Sequence, residues 1–247
     1  MLSLLIIIIT GIILVTIFVK EPRIFLALFQ KLAFPKSKGD TAFVNKMRHF
    51  PESVLLEKDW ALFRDEFQHV VDGQSLPKFH QVDKLNNKIS FDSGPAWRTV
   101  ILKAYDGWFR DNCNLFPITY NLLRNRENIS TVMYSVLEPG TQIPPHTGKL
   151  KGVFRYHLAL HVPKENDCFI MINDEKYFWR EGEGVLFDDT FIHTVSNNTS
   201  DYRVVLFLDI KKASNAFINS VNNFLLRLIV KSPLFKKGVR RGTINID

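Results

Sequence analysis

The first pattern along the chain is a block with almost no polar positions. Leu2 to Val19 reads LSLLIIIITGIILVTIFV. At about 1.5 Å of rise per helical residue, such a run approaches the hydrocarbon thickness of a bilayer. It predicts an N-terminal transmembrane helix within residues 1–20. It lacks the basic start and small-residue cleavage site of a removable signal peptide. Lys20, Arg23, Lys31, Lys36 and Lys38 follow it. This asymmetry predicts a single-pass protein of the inner (plasma) membrane, with the rest of the chain facing the cytoplasm. Ile24 to Phe34 is apolar with Lys31 interrupting, and is expected to lie along the interface. PKSKGD, residues 35–40, reads as a linker, so residues 21–55 form a juxtamembrane segment and linker.

Beyond residue 56 the pattern has two periods. Trp60, Phe63, Phe67 and Val70 recur at helical spacing, with Gly73 as a stop. Pro117 to Arg124 also reads as helix, and residues 76–95 read mostly as loop. Strand signals dominate elsewhere. They predict strands over Trp97–Ala104, Thr131–Leu137, Val153–Val162, Cys168–Ile172, Lys176–Trp179, Val185–Phe187 and Arg203–Ile210, with a turn at Glu138-Pro139-Gly140-Thr141. In the Val153 run, Arg155 and His157 share one face with Ala159. Phe154, Tyr156, Leu158, Leu160 and Val162 make the other. Such a strand lines a pocket with one side and packs a core with the other. Many short strands at close spacing predict a mainly β domain over residues 56–212, a double-sheet jelly roll with flanking helices. Residues 213–247 form an amphipathic helix and a basic tail. Phe217, Val221, Phe224, Leu225 and Leu228 share a helical face, and Lys231, Lys236, Lys237, Arg240 and Arg241 follow. Two readings stand for this segment: a peripheral membrane anchor, or a helix packed on the barrel.

A length of 247 residues fits one principal domain, and 21 Phe can build its core. The net charge of +7 calls for an anionic partner. Much of that charge lies beside the apolar ends, which favours a membrane over nucleic acid. Cys113 and Cys168 do not make a disulfide framework and fit a reducing compartment.

The candidate chemistry lies between Ser135 and Arg203. His146 and His193 stand 47 residues apart, followed by Arg155 and Arg203 nine and ten residues later. Two imidazoles that leave positions open suit Fe(II). Fixed guanidiniums suit a dicarboxylate, whose geometry their planar fork matches. The residues therefore suggest an iron- and 2-oxoglutarate-dependent hydroxylase. Asp188 and Asp189 are candidates to form a turn or to orient His193. His80, His161 and Glu138 read as structural.

The text MYSVLEPGTQIPPHTG, FRYHLAL, EGEGVLFDDTFIHTV and YRVVLFLDI, in this order between Trp97 and Ile210, resembles the aspartyl/asparaginyl β-hydroxylase family. The resemblance is strongest to its bacterial membrane-anchored lipid A hydroxylase branch. It implies a cupin-like double-stranded β-helix that couples 2-oxoglutarate decarboxylation by O₂ to C–H hydroxylation. It makes His146 and His193 the iron ligands, and Ser135, Arg155, His157 and Arg203 the 2-oxoglutarate contacts, with Trp97 lining the same pocket. Most of the wider superfamily carries a carboxylate two residues after the first histidine. Here that residue is Gly148, an omission the family shares, which implies water at the third protein position. The cysteine pair of eukaryotic members is absent. The implied substrate is a membrane lipid bearing phosphates, hydroxylated on an acyl chain, with no obligate protein partner. The rivals are hydroxylation of Asp or Asn in a protein, and a non-catalytic membrane-tethered barrel that binds a ligand.

Overall fold

A computed structural model describes residues 21–37, 39–82 and 95–244. Residues 1–20, on which the expected transmembrane helix falls, lie outside these, as do 83–94 and the last three. Among the described residues no helix is long and apolar enough to cross a membrane.

Helices precede and follow a β core. The first are α1 (Pro22–Ala33), α2 (Lys46–His49), α3 (Ser53–Lys58), α4 (Trp60–Val71) and α5 (Phe79–Val82). Then come α6 (Arg110–Leu115) and α7 (Pro117–Leu123) within the β region, and α8 (Ala216–Lys231) and α9 (Pro233–Gly242) after it. Three of them open on proline, whose missing N–H costs nothing at a helix start.

The larger sheet holds β1 (Trp97–Ala104), β2 (Gly107–Trp108), β3 (Ile129–Leu137), β5 (Val153–His161), β8 (Gly184–Phe187) and β10 (Arg203–Lys211). The smaller holds β4 (Gln142–His146), β6 (Cys168–Ile172), β7 (Glu175–Phe178) and β9 (His193–Asn197). The orders are β2-β1-β3-β10-β5-β8 and β4-β9-β6-β7, all pairs antiparallel. From β3 onward the chain passes back and forth between the sheets, which winds them into a jelly roll.

Alternation along the strands sorts side chains into two cores. Tyr156, Leu158, Leu160, Val204, Leu206 and Leu208 pack outward against α4, α6 and α7 through Phe63, Phe67, Cys113 and Leu123. Ala159, Val205, Phe207, Val185 and Phe187 face inward across the sheets to Ile143, Ile170, Ile172 and Val195. Burial on both faces explains why β10 reads as an unbroken apolar run. A bulge at Leu160, where Val204 and Val205 face His161 and Ala159, reverses the alternation. Val162 therefore joins the inner cluster instead of continuing the outer face.

The segment expected as a basic tail is the helix α9. Ser232 caps it by accepting from the Phe235 N–H at 3.2 Å, and Phe235 packs edge-on against Phe109. Helix α8 packs on α1 through Leu26, Leu225, Leu226 and Ile229. Inside that seam the Gln30 amide donates to Asn222 Oδ1 at 2.7 Å. Cys113 and Cys168 are buried and free.

Candidate active site

The register of β4 on β9 sets His146 opposite His193. Their ring centroids lie 4.1 Å apart. The Nδ1–H of His146 donates to the Pro144 carbonyl at 2.8 Å, and that of His193 to the Phe191 carbonyl at 2.9 Å. Each bond fixes the tautomer and leaves the Nε2 lone pair bare. Burial lowers the pKa of both rings to about 4, and for His146 the neighbouring His193 adds to this. Both are neutral at pH 7, the form that binds a metal.

The turn before β9 divides two adjacent aspartates. Asp188 accepts from the Thr190 N–H at 2.9 Å and pairs with Lys212 at 2.7 Å, so it builds the turn. Asp189 points inward, 2% exposed, with Oδ2 3.0 Å from Arg155 and no hydrogen-bond partner for Oδ1. Its carboxylate fills the space beside Gly148. A Cβ added there would lie 2.1 Å from Asp189 Oδ2 and 2.2 Å from Oδ1. The Gly148 N–H also donates to the Asp189 carbonyl at 2.7 Å. Glycine at 148 thus admits a carboxylate delivered from another strand's turn. Burial raises the Asp189 carboxyl above its ordinary pKa, against the pull of Arg155. Among the described residues no group of three His, Cys, Asp or Glu side chains is arranged to hold a metal. The two imidazoles are the ligand pair on offer, with Asp189 beside them.

Arg155 already has its partners. Asp189 and Asp209 hold it at 3.0 and 3.1 Å, and it lies over the Phe207 ring. Arg203 differs. It is 2% exposed, its NH1 donates to the Ser135 carbonyl at 3.2 Å and Oγ at 3.4 Å, and its Nε has no partner. Among the described residues no carboxylate pairs with it. Burial brings its pKa down to about 10, opposed by the nearby Cys168 thiol, so it is charged at neutral pH. A buried, unpaired guanidinium is costly in a folded protein, and a site that keeps one is built to receive an anion. Trp97 Nε1 donates to Ser135 Oγ at 2.9 Å and stacks on Phe79, so it positions the hydroxyl that faces Arg203. His157 is buried among Phe187, Phe207 and Trp179 with neither ring nitrogen partnered. Burial, with Arg203 and Arg155 nearby, holds its pKa well below the ordinary value, so it too is neutral.

All seven residues expected from the sequence therefore stand on the inner side of the barrel. His146 and His193 form one group; Trp97, Ser135, His157 and Arg203 form another; Arg155 is tied to the first through Asp189. Trp179 was missed. Its ring lies 4.6 Å from the Arg203 guanidinium carbon, and its buried Nε1 has no partner. Alternation over residues 176–179 sets it on one face with Tyr177, and both join the inner cluster. The donor set fits a metal and a dicarboxylate: two bare imidazole nitrogens, and unpartnered N–H groups on Arg203 and Trp179.

The family model described as aspartyl/asparaginyl beta-hydroxylase matches residues 57–213. The chain belongs to this family. By that membership it is a hydroxylase. It is 34% identical over 192 residues to an ornithine lipid ester-linked acyl 2-hydroxylase of Rhizobium tropici, covering 77% of this chain and 68% of that one. It is 31% identical over 185 residues to the human aspartyl/asparaginyl beta-hydroxylase, covering 71% of this chain and 22% of the human one. Similarity to the solved structure of a 2OG-Fe(II) oxygenase family oxidoreductase from Burkholderia pseudomallei has a TM-score of 0.39 at 10% identity, over 52% of this chain and 73% of that one.

Proposed function

We propose that this β-hydroxylase family member is a membrane-anchored Fe(II)- and 2-oxoglutarate-dependent dioxygenase of the inner membrane, facing the cytoplasm, that hydroxylates an acyl chain of lipid A or a related membrane lipid. The observation that carries the reading is Arg203, a fully buried cation with no carboxylate among the described residues, in the same barrel as a pair of metal-ready histidines. Iron would be held by Nε2 of His146 and His193. The distal carboxylate of 2-oxoglutarate would pair with Arg203 and Ser135, and its other end would lie near Arg155 and His157. When bound, the metal and cosubstrate supply the oxidation: O₂ is consumed, 2-oxoglutarate becomes succinate and CO₂, and the second oxygen atom becomes the substrate hydroxyl.

The chain's own residues prepare that chemistry. The Pro144 and Phe191 carbonyls hold the imidazoles in the binding tautomer. Asp189 offers its unpartnered Oδ1 as an acceptor to water beside the histidines. Val185, Phe187, Val205 and Phe207 keep the interior apolar, which suits an alkyl substrate and excludes bulk water. The acyl chain is preferred as substrate because similarity to the rhizobial acyl 2-hydroxylase runs along most of this chain. Lys and Arg side chains near both apolar ends would meet lipid phosphates. Hydroxylation of a protein Asp or Asn is the second reading, favoured by the human relative. Mass spectrometry of lipids from cells with and without the gene separates them. One added oxygen on an acyl chain is expected. An unchanged lipid profile, with the oxygen found on a protein, would refute the lipid assignment.

A further inference from the structure

We infer that α1 lies flat in the membrane interface and opens the active-site mouth towards the bilayer, a reading that rests on the lipid hydroxylase proposed above. Helix α1 uses one side against the protein: Leu26 and Gln30 are buried at 0% and 1% exposure. The opposite side carries Ile24, Leu28 and Leu32, spaced by four and exposed at 46%, 56% and 82%. Spacing by four keeps them in one stripe. Leu32 is the most exposed large apolar side chain among the described residues. A stripe of this kind on a soluble surface marks a partner. Helix α8 covers the buried side of α1 and leaves the stripe open.

Three observations commit the stripe to a lipid surface. The apolar run Leu2–Val19 ends two residues short of α1, with Lys20 and Glu21 between. If that run crosses a bilayer, Pro22 starts at its surface. Lys31 and Lys36, exposed on and after α1, match anionic headgroups. Most telling, α1 is joined to both segments that carry the histidines. Gln30 Oε1 accepts from the Gly152 N–H at 3.2 Å, and Leu150 packs on the α1–α8 seam, so the segment after His146 rests on this helix. Lys36 donates to the Thr190 carbonyl at 3.0 Å and lies 3.5 Å over the Phe191 ring, in the turn before His193. Beside that turn Ile192 is 55% exposed. An interfacial α1 therefore sets the mouth between these two segments against the acyl region, and an alkyl chain can enter without crossing water.

The test uses the full chain in vesicles of phosphatidylethanolamine and phosphatidylglycerol. Native Cys113 and Cys168 are buried, so Leu32→Cys gives selective labelling with an environment-sensitive fluorophore. Bromines placed shallow in the acyl chains should quench this label several-fold more than one at Arg180→Cys, an exposed control. Water-like emission without quenching would overturn the inference. So would apolar emission without bromine quenching, which would mean that residues 1–20 or a second copy cover the stripe. The label reads position and not turnover, so it stands apart from the hydroxylase assignment. A second measurement links the two. Leu28→Glu/Leu32→Glu removes two exposed apolar contacts, and turnover of lipid in vesicles should fall by at least about tenfold. Turnover of the same lipid in detergent micelles should hold. Equal loss in both would refute docking, whereas no turnover by the unmodified chain in either would refute the lipid reading alone.

Discussion

The contact between Gly148 and Asp189 makes a sharp prediction. Gly148→Ala adds a single methyl group. Its carbon would fall 2.1–2.2 Å from the three terminal atoms of the Asp189 side chain, against an ordinary contact of about 3.4–4 Å. More than an ångström of movement is needed, and Asp189 is buried and tied to Arg155 at 3.0 Å. Overpacking of this kind costs about 1–3 kcal/mol. Pulling Asp189 from Arg155 adds to that, but less than the roughly 3–5 kcal/mol of breaking a lone buried pair. Arg155 keeps Asp209 and the Phe207 ring. A total near 2–4 kcal/mol follows, or a fall of roughly 4–16 °C in Tm for a chain of this size. Asp189→Ala deletes the three clashing atoms, so in that background Gly148→Ala should cost under about 0.5 kcal/mol. Urea unfolding of the metal-free single and double variants measures the coupling, expected at about 1.5–4 kcal/mol. Additive effects would show that Asp189 does not occupy the space beside Gly148. The same geometry predicts that Gly148→Asp, which restores the wider superfamily's carboxylate, displaces Asp189 and gains no third ligand for free.

Three further outcomes are expected. Arg203→Met should weaken 2-oxoglutarate binding by at least about ten- to a hundred-fold in titrations of the iron-loaded protein, with Arg203→Lys less affected and iron binding intact in both. An unchanged affinity would make Arg203 structural. His146→Ala or His193→Ala should abolish tight Fe(II) binding by equilibrium dialysis while the metal-free fold persists, because a single imidazole remains; retained binding would sink the site. The metal-free protein should lose stability as the pH falls from about 6.5 towards 4. The folded pKa of both histidines is about 4, below the unfolded value, so the unfolded state binds more protons across that window. The slope is about 1 kcal/mol per pH unit per histidine at its steepest, partly offset by Asp189, whose carboxyl is raised. His146→Gln should flatten the thermal-melt profile; an unaltered slope would assign the acid lability elsewhere.

The strands were legible because runs of apolar, β-branched and aromatic residues between turn residues are a local signal. Trp97–Ala104 matches β1 residue for residue, and β5 and β10 differ from expectation by one residue at an end. The misses share a cause in long-range structure. Gln142–His146, with two prolines, has no strand signature of its own; it pairs because β9 lies beside it. Helix α6 is six residues with no apolar period, anchored by Asn112, whose amide donates to the Ile101 and Gly242 carbonyls at 2.8 Å. In the site, residue types announced the histidines and Arg203. Two things could not be read: that Arg155 is saturated by Asp189 and Asp209, and that Trp179 lies over Arg203. Both depend on which sheet meets which.

The position of β10 bears on how the molecule is made. Residues 203–211 are the last strand to leave the ribosome, yet they lie between β3 and β5 in the middle of the larger sheet. Until they emerge, β3 and β5 each expose a bare apolar edge of the kind that recruits other chains. A growing chain can join β4 to β9 and bring the two imidazoles together, but it has no Arg203 and no closed wall behind them. Chains cut short before residue 203 are thus bound for aggregation or proteolysis and not for partial activity.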